Sequence, residues 1–178
     1  PVIDADAKKG LEAHIERMQA EPTATILGQT PMSASSVVSE DQATFVLPTA
    51  IEVSSIDVIG GEHFGPILHV LRYKARDLDK LIDAINGTGF GLTLGIHSRI
   101  ENIAEHIERR VVVGNTYINR NQIGAVVNVQ PFGGTGLSGT GPKAGGPHYV
   151  ARLMKLSTTS INKDADSMVQ STTPTELA

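Results

Sequence analysis

The sequence predicts an α/β protein organised around a parallel sheet, and two occurrences of one alternating pattern carry that prediction. Apolar strand-like runs alternate with amphipathic helical runs through the middle of the chain, at 67–73 then 77–86, and at 92–97 then 100–110 then 111–119. Parallel strands need a crossover, and an intervening helix supplies it. The chain has 178 residues and no Cys, so its core must be closed by burial, and roughly 70% of the unfolded surface is within reach at this length.

The elements follow in order. From Asp4 to about Glu21, Leu11, Ile15 and Met18 recur at helical spacing, with Asp4 placed as an N-cap and Pro22 as a stop. Short β-like pieces follow at 24–27, 44–47 and 51–53, and the Ser-rich stretch 33–41 between them has the composition of a turn or surface excursion. The run 67–73 is nearly continuous in apolar character, and 77–86 sets Leu78, Leu81, Ile82 and Ile85 on one helical face. Strand, helix and strand repeat at 92–97, 100–110 and 111–119. Between Arg120 and Pro147 glycines and prolines accumulate, as expected of a functional or irregular segment. A short helix is expected over 149–156, a strand over 157–162, and a polar, flexible tail from Lys163 onward.

Composition narrows the function classes. With 15 Lys+Arg against 19 Asp+Glu the net charge is −4, and no basic block offers the footprint that a phosphate backbone demands. No apolar run approaches the roughly 18 residues of a membrane span, and the N-terminus lacks a signal-peptide layout, so a soluble, cytoplasmic chain is expected. It opens at Pro1 rather than Met, which suggests a piece of something longer. Without Cys there is no thiolate nucleophile. No Ser sits in a strand-turn-helix elbow either, so no catalytic residue is assigned within the chain. The six His show no helical i, i+4 pair, and His63 and His69 would stand about 20 Å apart along a strand; no metal site is expected.

Two segments invite a binding role. Gly134-Thr135-Gly136-Leu137-Ser138-Gly139 matches G-x-G-x-x-G literally, yet Pro131-Phe132-Gly133 precedes it and Thr140-Gly141-Pro142 follows, so the strand and helix of a dinucleotide fingerprint are missing. Such a glycine-rich backbone suits either close approach to a ligand or a structural crossing of the chain. Glu62-His63-Phe64-Gly65-Pro66 packs a carboxylate, an aromatic ring and a turn just ahead of an apolar strand. An exposed carboxylate can accept two hydrogen bonds from a vicinal diol, and a neighbouring ring can cover a heteroaromatic face. Taken alone, Glu62 reads rather as a solvated turn residue, since acidic side chains are mostly exposed.

These residues, together with Gly89-Phe90-Gly91-Leu92-Thr93, Gly114-Asn115-Thr116-Tyr117-Ile118-Asn119 and Gln130-Pro131-Phe132-Gly133-Gly134, resemble the C-terminal part of an aldehyde dehydrogenase. The run from Asn119 to Val127, leading to Gly139-Thr140-Gly141-Pro142-Lys143-Ala144-Gly145-Gly146-Pro147, narrows the resemblance. It is similar to the pyrroline-5-carboxylate (glutamate semialdehyde) dehydrogenase module of the bifunctional proline utilization A flavoproteins. The resemblance implies that Glu62 holds the hydroxyls of the nicotinamide ribose of NAD, that Phe64 lies beside the nicotinamide, and that Leu92 lies near that ring. It implies that Gly124 and Ala125 anchor the carboxylate of glutamate semialdehyde through backbone N–H groups and that Phe132 walls its aliphatic chain. A Gly-containing bend can turn successive N–H groups toward an anion without an Arg. Asn128 departs from the Gly expected in that loop, and its side chain could narrow the aldehyde site.

In the family's reaction a cysteine thiolate attacks the aldehyde, hydride passes to NAD, and a glutamate-activated water releases the acid. The cysteine, that glutamate and the main dinucleotide-binding domain lie upstream of the segment matched here. The resemblance therefore implies an α/β catalytic domain incomplete at its N-terminal side over 1–156, an oligomerisation strand over 157–163 that would form a homodimer, and a tail over 164–178. FAD belongs to the expected parent protein and not to this chain. The competing expectations are a non-catalytic module that dimerises or binds an anion through its glycine-rich loop, and a mononucleotide-binding βαβ domain.

Overall fold

The computed structural model describes residues 1–31, 44–123, 126, 129–164 and 167–175, as backbone alone beyond residue 154. The chain divides into two compact units, Pro1–Leu81 and Ile82–Ala178, a division inside the stretch that the sequence reading treats as one domain.

In the first unit, helix α1 (Ala5–Ala20) begins where Asp4 accepts a hydrogen bond from the Ala7 N–H at 2.7 Å, which satisfies one of the donors a helix start leaves open. Its buried face is Leu11, His14, Ile15 and Met18, the predicted apolar stripe with one imidazole inserted. That face packs on a three-stranded sheet, β1 (Ala24–Gln29), β2 (Thr49–Val53) and β3 (Ile67–Val70), in that order. β1 and β2 are antiparallel, and β2 and β3 run parallel with Thr49 opposite Ile67. Met18, Ile51 and Val53 form one core cluster, and Leu11, Ile15 and Val46 a second, with Ile67 packed against both.

The stretch 44–47 is not the strand expected of it. The Val2 N–H takes the Thr44 carbonyl, and Pro48, whose own carbonyl accepts from Thr30 N–H, precedes a ladder that opens only at Thr49. Proline has no N–H to offer that ladder. The Ser-rich stretch 33–41 lies outside the described residues.

Helix α2 (Leu78–Gly87) leads into the second unit. There β4 (Phe90–Gly91), β5 (Thr93–Ile96), helix α3 (Glu101–Arg110) and β6 (Asn115–Ile118) follow. β5 and β6 pair in parallel, Thr93 opposite Asn115, with α3 as the crossover that the alternating pattern predicts. Asn86 locks α2 to the end of α3: its Nδ2 donates to the Arg110 carbonyl and its Oδ1 accepts from Val112 N–H, both at 2.9 Å. β7 (Thr135–Gly136) pairs antiparallel with β4, and a short helix α4 (Tyr149–Leu153) comes next.

The chain end differs from the expected tail. β8 (Lys155–Asp164) and β9 (Ser167–Thr175) form an antiparallel pair with Lys155 opposite Thr175. The Ser and Thr content that reads as flexible polar sequence is equally compatible with strand once a partner supplies the ladder. No helix among the described residues is long and apolar enough to cross a membrane.

Candidate functional site

A 3-10 turn at Ile56–Ile59 ends in Gly60 at φ +82°, a left-handed conformation that glycine tolerates best. The chain then passes through Glu62, His63 and Phe64. It re-enters the sheet when Ile67 N–H donates to Gly65 O at 2.8 Å and Thr49 N–H to Pro66 O at 3.0 Å. Glu62 is exposed and its carboxylate has no partner among the described residues. Phe64 is 85% exposed. A carboxylate and an aromatic ring two residues apart thus stand free on a turn anchored at both ends.

Beneath this turn the structure assembles a group that the sequence reading did not foresee. The His14 and His63 rings stack with centroids 3.5 Å apart and planes 23° apart. His14 Nε2 lies 2.9 Å from His69 Nε2. The His63 and His69 centroids are 6.3 Å apart, not about 20 Å as a continuous strand would give; the turn through Gly65 and Pro66 folds the chain back, and β3 starts only at Ile67. Arg17 completes the group, with Nη2 on His14 Nδ1 at 3.0 Å and on Ile59 O at 2.6 Å, and Nη1 on Val58 O at 3.0 Å.

The donors fix the tautomers. A guanidinium only donates, so His14 Nδ1 accepts, its Nε2 carries the proton of the neutral ring, and His69 Nε2 accepts in turn. His63 Nε2 donates to Ile59 O at 3.1 Å. Burial above all, then the neighbouring charges of His63, His69 and Arg17, push His14 from 6.5 down to about 4. Burial, with His63 and Arg17, lowers His69 as well. Among the described residues no group of His, Asp or Glu is arranged to hold a metal ion.

In the second unit, Leu92 (41% exposed) and the half-buried Phe132 are tied to one residue, Asn115. Its N–H donates to Leu92 O at 3.1 Å, its Nδ2 to Pro131 O at 2.9 Å, and its Oδ1 accepts from Gly133 N–H at 3.3 Å. Phe132 also exchanges both backbone hydrogen bonds with Ala144, at 2.9 and 3.0 Å. Gly124, Ala125 and Asn128, the expected carboxylate anchor and its departure, lie outside the described residues.

The G-x-G-x-x-G stretch resolves as a crossing of the chain. β7 lies on β4, Gly91 N–H donates to Ser138 Oγ at 3.0 Å, and Lys143 Nζ donates to Gly114 O. No strand-turn-helix surrounds it. Tyr117 is buried, with Arg120 over its ring at 4.9 Å and with no partner for its hydroxyl among the described residues.

His14, Arg17 and Asn115 are the residues that sequence reasoning missed. An imidazole inside the stripe of Leu11, Ile15 and Met18 was the available signal for His14, and Asn115 stood in the Gly114–Asn119 run that carries the resemblance but had no role assigned; Arg17 carries no signal.

Residues 1–159 match the aldehyde dehydrogenase family. The chain is 52% identical over 159 residues to the bifunctional protein PutA of Klebsiella aerogenes, covering 86% of this chain and 12% of that protein. It is 35% identical over 160 residues to 1-pyrroline-5-carboxylate dehydrogenase 1 of Halalkalibacterium halodurans, covering 90% of this chain and 30% of that one. Among solved structures, Bradyrhizobium japonicum proline utilization A superposes with a TM-score of 0.78 at 46% identity, over 98% of this chain and 16% of that one. A Thermus 1-pyrroline-5-carboxylate dehydrogenase with bound NAD gives a TM-score of 0.73 at 29% identity, over 98% of this chain and 30% of that one. The chain thus spans between about an eighth and a third of the length of these relatives. A match extending from Pro1 to the first residues of β8, in sequence and in fold, establishes that this chain belongs to the aldehyde dehydrogenase family.

Proposed function

We propose that the chain is the C-terminal portion of an NAD-dependent dehydrogenase that oxidises glutamate semialdehyde, the open form of pyrroline-5-carboxylate, to glutamate in proline catabolism. The longer polypeptide would work in the cytoplasm as a homodimer, with an FAD-dependent proline dehydrogenase domain upstream. The names of the relatives support this reading.

The observation that carries the reading is the exposed Glu62 and Phe64 pair on an anchored turn. Its chemistry fits NAD: the free carboxylate accepts from a ribose diol, and the bare ring covers one face of a nicotinamide. When bound, NAD supplies the hydride acceptor. Glu62 holds and orients the ribose, and Phe64 shields the ring from water; Leu92 is assigned to the cofactor on the family resemblance alone. Gly124 and Ala125 take the substrate carboxylate through backbone N–H groups, and Phe132 lines the aliphatic chain. The nucleophile comes from upstream residues, since this chain has no Cys, and the family resemblance places the general base upstream as well.

The test has two arms. The 178-residue chain, given pyrroline-5-carboxylate and NAD, yields no NADH; turnover by a homogeneous sample overturns the upstream placement of the chemistry. In the complete enzyme Glu62→Gln raises KM for NAD on the order of tenfold, and an unchanged KM removes Glu62 from the site.

A further inference from the structure

The turn that bears Glu62 and Phe64 is held from below at three points by residues one helical turn apart on α1. Leu11 lies against Gly65 so closely that a Cβ there would overlap its methyl groups. His14 stacks on His63, the residue between Glu62 and Phe64. Arg17 takes the carbonyls of Val58 and Ile59, and Ile59 O also accepts from His63 Nε2. The backbone on both sides of the pair is therefore fixed, while the two functional side chains stay exposed. Packed and hydrogen-bonded support beneath free functional atoms is the arrangement that a preorganised binding group requires.

We infer that Arg17, His14 and His63 are positioning residues for the Glu62 and Phe64 pair, and that protonation of this imidazole group loosens the pair and weakens dinucleotide binding. The inference rests on the reading of Glu62 as the ribose-binding residue. Among the described residues the groups facing His14 are Arg17 on α1, His63 on the turn and His69 on β3, and none of them is a carboxylate that compensates an added proton. A second proton on His14 must go to Nδ1, where the guanidinium donates; one on His69 Nε2 would face the His14 N–H. Either breaks a hydrogen bond and sets cation against cation.

The experiment compares Arg17→Met and His63→Ala with wild type and with Glu62→Gln in the complete enzyme, reading KM for NAD, kcat and the acid limb of kcat/KM for NAD. Arg17→Met and His63→Ala are expected to raise KM for NAD on the order of fivefold to tenfold, with kcat within about twofold. Arg17→Met is also expected to move the acid limb to higher pH, because the charge that opposes protonation of His14 is gone. Lowered melting temperatures with KM and the acid limb unchanged in both variants would mean a structural role only and overturn the inference. An unchanged KM in Glu62→Gln would instead overturn the ribose reading, so the two failures are distinguishable.

Discussion

His14 Nε2 donates to His69 Nε2 across 2.9 Å and its Nδ1 accepts from Arg17, a pair of contacts that exists only while both rings are neutral. Folding holds His14 at about 4 against 6.5, so between those values the unfolded chain binds a proton that the folded chain refuses. Stability is then full above about pH 6.5 and is lost as the pH falls toward about 4, with His69 adding in the same direction. The His14 shift alone amounts to roughly 3 kcal/mol over that interval. Urea unfolding of the chain at about pH 7.5, 5.5 and 4.5 measures it, and His14→Phe is expected to flatten most of the slope.

Gly65→Ala places a methyl group where Leu11 already sits. Overpacking of this kind costs about 1–3 kcal/mol, read as a lower urea midpoint with unchanged m-value. Leu11→Ala empties the space that the new methyl needs. The double variant is therefore expected to be more stable than the sum of the two single losses, by about 0.5–3 kcal/mol. Simple additivity would separate α1 from the turn.

Asn115→Ala removes the side-chain bonds to Pro131 O and Gly133 N–H and leaves the bridge between Phe132 and Ala144 in place. The expected loss is about 1–3 kcal/mol. Hydrogen exchange locates it: the Gly133 amide is expected to lose protection, while the Phe132 and Ala144 amides, still bonded to each other, lose less.

Tyr117→Phe deletes a buried hydroxyl that finds no partner among the described residues and leaves the ring under Arg120. The 178-residue chain is expected to keep its stability or gain about 1 kcal/mol. A loss of that size in thermal unfolding would reveal a hydrogen-bond partner for the hydroxyl.

The sequence by itself determined the local elements. Asp4 caps α1, Leu11, Ile15 and Met18 face its core, α3 carries β5 to a parallel β6, and Glu62 and Phe64 stand exposed between Gly60 and Pro66. The helix face and the parallel crossover follow from spacing, since the periods of helix and strand dictate which face a residue takes, while the cap and the turn follow from residue type. The tertiary structure alone decided what each face meets. His14 joins His69 across 55 positions and Arg17 reaches Val58 and Ile59 across 41 and 42; 167–175 finds in β8 the ladder that turns part of an expected tail into β9. An imidazole among leucines or an arginine on an exposed helix turn has the same local sequence whether its partner is water or a turn some forty residues on. Only the packing of α1 on the sheet selects between them, and that packing makes the support beneath Glu62 and Phe64.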